Sequence, residues 1–151
     1  MMKTWKKIIM PIQSLEFLSV DEAQAFVPKL QTVAISILTP GRAPAQLHST
    51  IENVLRLYFH DGVPHGTEPR KVDLFSTEQA LAVIDFLRRH HSQPQPQHLL
   101  IHCEAGISRS AAVAVFSASE CRVPLGGQFA FLNPWVLATL VKTSYPQYAF
   151  D

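Results

Sequence analysis

The chain has only two cysteines in 151 residues, Cys103 and Cys121, and their placing gives neither a disulfide framework nor a zinc-binding pattern. They fit a reducing, cytoplasmic setting. Charge is scarce and balanced, with 13 basic against 12 acidic residues, 17% charged in all, and a net of +1. No overall field draws such a chain to nucleic acid, so any affinity for anions has to be local. No apolar run is long enough to span a membrane. Ile8-Ile9-Met10, behind Lys3, Lys6 and Lys7, is too short for a signal peptide and is ended by Pro11. There is no internal repeat, and the one biased stretch is Ser92-Gln93-Pro94-Gln95-Pro96-Gln97. Apolar residues, by contrast, are plentiful at 47%, which predicts one globular domain over residues 1–151 with a proper core.

The chemistry is concentrated in His102-Cys103-Glu104-Ala105-Gly106-Ile107-Ser108-Arg109-Ser110. The apolar run His98-Leu99-Leu100-Ile101 leads in, and the helix-forming run Ala111-Ala112-Val113-Ala114-Val115 leads out. That order predicts a strand, a tight loop and a helix start. Amides at a helix start lack intrahelical partners, and the dipole favours negative charge there. Gly106 lets the loop curl so that its amides converge. Such surroundings, with Arg109 close by, favour the nucleophilic thiolate of Cys103. The planar fork of Arg109 can grip two oxygens of a phosphoryl group. Ser110 is placed to donate a hydrogen bond to the thiolate, and His102 to brace the loop.

These residues resemble the signature of the cysteine-based protein tyrosine phosphatase superfamily, His-Cys-x-x-Gly-x-x-Arg-Ser/Thr, at every fixed position from His102 to Ser110. The compact length is similar to small dual-specificity or bacterial-type members. The resemblance is good over residues 53–120 and extends elsewhere only to element order. It implies that Cys103 attacks phosphorus to form a cysteinyl-phosphate. Arg109 and the amides of Glu104, Ala105, Gly106, Ile107 and Ser108 then hold the equatorial oxygens. It also implies an aspartic acid that protonates the leaving oxygen and later activates water.

Two aspartates compete for that role. Asp61 follows a strand-like segment at residues 53–59 and opens a stretch with Gly62, Pro64, Gly66 and Pro69, the context in which the family carries its acid. Asp73 lies nearer Cys103 in sequence, before a helix capped by Ser76 or Thr77, and could simply serve that helix start. Asp61 is the preferred candidate and Asp73 the alternative. An insertion over residues 63–74 makes the spacing from Asp61 to Cys103 longer than in the small members.

A pass along the chain predicts strands at residues 7–12, 15–18, 31–38, 53–59 and 98–102. Helices are predicted from Ser19 or Asp21 to before Pro28, over 76–91 and over 109–120. A weaker helix is placed at 124–131, disfavoured by Gly126 and Gly127, and a last one runs from the cap Asn133 with Pro134 at its first position to about 143. Leu81, Ile84 and Leu87 are expected on the buried face of the 76–91 helix, extended by Ala80, Val83 and Phe86. Alternating strands and helices predict an α/β fold with a mostly parallel central sheet flanked by helices, the phosphate loop lying between a strand and a helix. The pairs His60/His65 and His90/His91 sit in loop and helix-end contexts, so no metal and no cofactor are expected. Cys121 reads as a small buried residue.

The expected substrate is a phosphorylated protein, phosphotyrosine first and phosphoserine or phosphothreonine beside it. The loop carries Glu104 and no lysine, which disfavours the alternative of a phosphoinositide or polynucleotide 5′-phosphate. A second alternative is a non-catalytic module that captures phosphoproteins, against which Cys103, Arg109 and Ser110 argue.

Overall fold

A computed structural model describes residues 11–65 and 73–148. Strand β1 (Ile12–Leu18), helix α1 (Val20–Ala25), strands β2 (Thr32–Leu38) and β3 (Val54–Tyr58) and helix α2 (Thr77–His91) come first. Strand β4 (Gln97–His102), helices α3 (Arg109–Cys121) and α4 (Pro134–Ser144) and a 3-10 turn at Pro146–Tyr148 complete the order. All strand pairs are parallel, in the spatial order β1-β4-β2-β3.

The register explains the layers. Ile101 pairs with both Phe17 and Ile35, while His102 pairs with both Leu18 and Ser36. Successive side chains point to opposite faces, so Leu15, Leu99, Ile101, Val33, Ile35, Ile37 and Leu57 share one face. They join the main core with residues of α2, α3 and α4. The other face carries Ala34, Leu100, Leu18 and Val54, which pack with Ala23 of α1 and with Leu47 and Ile51. Both faces of β2 are covered, which is why Thr32–Leu38 is an unbroken buried run.

The helices start as their sequences dictate. Ser19 with Glu22, and Ser76 with Gln79, form reciprocal capping boxes at α1 and α2. Gln79 also reaches Tyr58 O at 3.1 Å, joining α2 to the end of β3. The buried stripe of α2 is Ala80, Val83, Ile84, Phe86, Leu87 and His90. Leu81 is 54% exposed, contrary to expectation, because it lies about one-quarter turn from the stripe centred on Ala80, Ile84 and Leu87.

Two further expectations change. The strand placed at residues 7–12 falls mostly outside the described residues; within them β1 begins at Ile12 and runs on through Leu18 as one strand. The gap left between the expected strands at 7–12 and 15–18 is strand as well, and the polar Ser14 and Glu16 both bond His98 of β4, at 2.7 and 3.0 Å. Residues 124–131 form no helix. Gly127 adopts φ +96°, in the left-handed region, and the stretch runs as an irregular strap into α4.

Because β4 is central, the residues following all four strands meet at one edge of the sheet. Ser19, Thr39, Phe59 and Cys103 lie there, each directly after its strand. Open parallel sheets place ligands at this carboxyl edge.

Candidate active site

Residues 103–108 leave β4 against the corner between β1 and α1. Cys103 N donates to Leu18 O at 3.3 Å, and Val20 N donates to Glu104 O at 3.1 Å. Gly106 takes φ +71°. A Cβ there would lie 2.6 Å from the carbonyl carbon of Leu18 and 2.9 Å from its oxygen, closer than packed atoms allow. Only glycine permits both the turn and this close approach. The curl brings Gly106 N to 3.3 Å from Cys103 Sγ, and Ser110 Oγ stands 3.0 Å from the same sulfur. Gly106 N donates to the sulfur, and in the second contact either the Ser110 hydroxyl or the sulfur can donate.

Arg109 opens α3 and is 5% exposed. Its Nη1 donates to Phe59 O at 2.8 Å and to Thr39 Oγ1 at 3.2 Å. Its Nη2 lies 3.8 Å from Glu104 Oε1. Its Nε is buried without a hydrogen-bond partner. A guanidinium N–H left this way is costly unless something accepts from it.

The Glu104 carboxylate is engaged along the loop after β2. It accepts from Thr39 N at 2.9 Å and pairs with Arg42 at 3.5 Å. The Thr39 hydrogen bond, with Arg109 and Arg42 adding their charges, holds Glu104 below the usual carboxylate value despite partial burial. One acid therefore ties the segment after β2 to the loop and stands behind the guanidinium. Sequence reasoning reads Glu104 as a loop amide and as an acid in a lysine-free loop; the Thr39 and Arg42 contacts have no local signal.

His102 is fully buried. Its Nδ1 donates to Cys103 O at 3.1 Å, leaving Nε2 to accept from Ser36 Oγ at 2.6 Å. That pattern fits a neutral ring. Burial lowers its proton affinity most; the Cys103 carbonyl opposes this with a smaller effect, and the charge of Arg56 adds the smallest, lowering it further. His102 thus joins the end of β4 to Ser36 of β2 and to the first carbonyl of the loop.

Of the two candidate acids, the structure joins Asp61 to the loop. Asp61 Oδ1 accepts from Ser108 Oγ and from Asn133 Nδ2, each at 2.8 Å. Asp73 is tied in by its backbone, its carbonyl accepting from His60 N at 2.6 Å. Asn133 is the residue that sequence reasoning underrates. Its Oδ1 caps α4, accepting from Trp135 N and Val136 N at 2.9 and 3.1 Å. Its Nδ2 also reaches Gly62 O at 3.0 Å, and its backbone N donates to Ser108 O at 3.1 Å. Among the favoured caps only asparagine has spare side-chain N–H groups, and that is the signal that could have found it.

With its hydroxyl on Asp61, Ser108 makes no side-chain cap at α3, and the first turn of α3 holds no acidic residue. That helix start is free to meet an anion. Cys103 and Cys121 are both buried free thiols. Among the described residues no group of three His, Cys, Asp or Glu side chains is arranged to hold a metal ion. Among them, too, no helix is long and apolar enough to cross a membrane. Comparison with protein-family models, curated proteins and solved structures finds no match to this chain.

Proposed function

We propose that this chain is a phosphomonoester hydrolase of the protein tyrosine phosphatase type, acting through a cysteinyl-phosphate. The observation that carries the reading is the buried, unpartnered Nε of Arg109 on the turn that also holds Cys103 Sγ between Gly106 N and Ser110 Oγ. A phosphoryl oxygen would satisfy that N–H, and the uncapped amides of α3 would take the others.

In the first step the Cys103 thiolate attacks phosphorus. The bond to the leaving oxygen breaks, and Asp61 gives that oxygen its proton. In the second step Asp61 takes a proton from water as the water oxygen attacks phosphorus. The S–P bond breaks, inorganic phosphate leaves, and the Ser110 hydroxyl stabilises the departing thiolate. Arg109 meets the charge on the equatorial oxygens throughout. The protein phosphomonoester reading is supported by the lysine-free loop and by Glu104, whose carboxylate is engaged with Thr39 and two arginines.

The test is phosphate release from an aryl phosphate, a phosphotyrosine peptide, a phosphothreonine peptide and an inositol phospholipid, with Cys103→Ser as control. Release from the aryl phosphate and the phosphotyrosine peptide, abolished by Cys103→Ser, is expected. Release that survives the substitution would falsify the mechanism. Tight phosphopeptide binding without turnover would make the chain a capture module, and preference for the lipid would move it to the phosphoinositide class.

A further inference from the structure

The irregular strap between α3 and α4 gives the site a rim of distinctive chemistry. Phe131 is 77% exposed, Phe129 41%, and Ile107 of the loop itself 50%. The strap is anchored. Leu125 and Leu132 pack on the main core, and the backbone at Gly127 lies against the Phe17 ring. A turn closes with Leu132 N donating to Phe129 O at 3.2 Å. Asn133 N then donates to Ser108 O, joining the strap to the loop one residue after Ile107. The two phenylalanines are thus exposed on a stretch whose backbone is tied, at Asn133, to the loop that carries Cys103.

Residues 123–133 contain no charged side chain. Such a rim repels nothing apolar and offers nothing to an acidic neighbour. It also lacks the lysines and arginines that draw a protein surface to anionic lipid.

Resting on the phosphatase reading above, we infer that Ile107, Phe129 and Phe131 form a specificity ledge. It takes a phosphopeptide whose phosphorylated residue is flanked by a large apolar side chain. The flanking side chain lies on the ledge while the phosphoryl group occupies the loop. An acidic flank loses water there and gains no partner.

The experiment compares kcat/KM for two phosphotyrosine peptides identical except for Leu or Asp at the flanking positions, with an aryl phosphate as reference. The wild-type chain should favour the Leu peptide by roughly tenfold, the scale of one apolar contact in a specificity site. Phe131→Ser and Phe129→Ser, both at exposed positions, should erase the preference and leave aryl phosphate turnover unchanged. Normal aryl phosphate turnover with equal kcat/KM for the two peptides overturns the ledge and leaves the phosphatase reading standing. No release from any of the three substrates overturns both. Phe131-dependent sedimentation with anionic phospholipid vesicles, joined to release from an inositol phospholipid in them, replaces the peptide by a membrane surface.

Discussion

Asn133 and Asp61 share a hydrogen bond of 2.8 Å, from the side-chain amide of the α4 cap to the carboxylate proposed as the acid. The same amide group holds Gly62 O, and the cap's own backbone holds Ser108 O. A helix start, the segment after β3 and the cysteine loop are thereby joined at one residue. Both donors to Asp61 converge on Oδ1, and neither reaches Oδ2.

Asn133→Ser separates the two duties of that side chain. Serine still caps α4, so the thermal midpoint should shift little. The bridge to Asp61 is lost. Turnover of an aryl phosphate with a poor leaving group should fall by part of the ~10²–10⁴ that general acid catalysis supplies. A good leaving group, which needs no proton, should be turned over almost as before.

Asp61→Asn should remove that factor outright for the poor leaving group, whereas Asp73→Asn should leave it within about twofold. Steady-state kinetics with a series of aryl phosphates reads the difference as a steeper dependence on leaving-group basicity. The opposite pattern assigns the acid to Asp73.

The two thiols should separate under iodoacetate at neutral pH. Burial first, and then Glu120, push Cys121 up to about 11, so it stays protonated and inert. Cys103, at the head of a proposed anion site, should take one carboxymethyl group, and inorganic phosphate should protect it. Peptide mass spectrometry locates the adduct; labelling at Cys121, or labelling indifferent to phosphate, contradicts the expectation.

Acid should weaken the fold first through histidines that burial keeps neutral. Burial lowers His90, His91 and His102 below the ordinary histidine value of 6.5. Above that value both folded and unfolded chains are neutral at these rings, and the full stability is present. As pH falls through it, the unfolded chain takes up protons that the folded one refuses, so stability declines towards the folded values. Glu104, also lowered, adds a second loss only at more acidic pH, as its carboxylate is protonated. The urea midpoint should therefore drop between about pH 7.5 and about pH 5.5, and His102→Gln should shrink the drop.

How much of this is legible in the sequence differs from residue to residue. The strand, loop and helix around Cys103 are legible because Gly106, a β-rich lead-in and an alanine-rich exit each act locally. The caps Ser19, Ser76 and Asn133 are legible for the same reason. β1 is legible only in part, because the partner that makes Ser14 and Glu16 acceptable in a strand is His98, far along the chain. The second duty of Asn133 and the Thr39–Glu104–Arg42 tie are equally non-local, and no periodicity announces them. Leu81 shows the limit of periodicity itself, since two apolar stripes compete on α2 and packing selects one.

The placing of β4 between β1 and β2 bears on how the chain comes to life. Ser14 meets His98 across 84 residues, and β1 has no other strand neighbour among the described residues. During synthesis at ~5–20 residues per second, the first strand waits on the order of several seconds for its companion. Until β4 slots in, the corner that receives Gly106 has nothing to receive, and neither the sulfur's hydrogen bonds nor the seat of Arg109 exists. The sulfur's contacts and the seat of Arg109 thus form together, and a chain ending before β4 has neither.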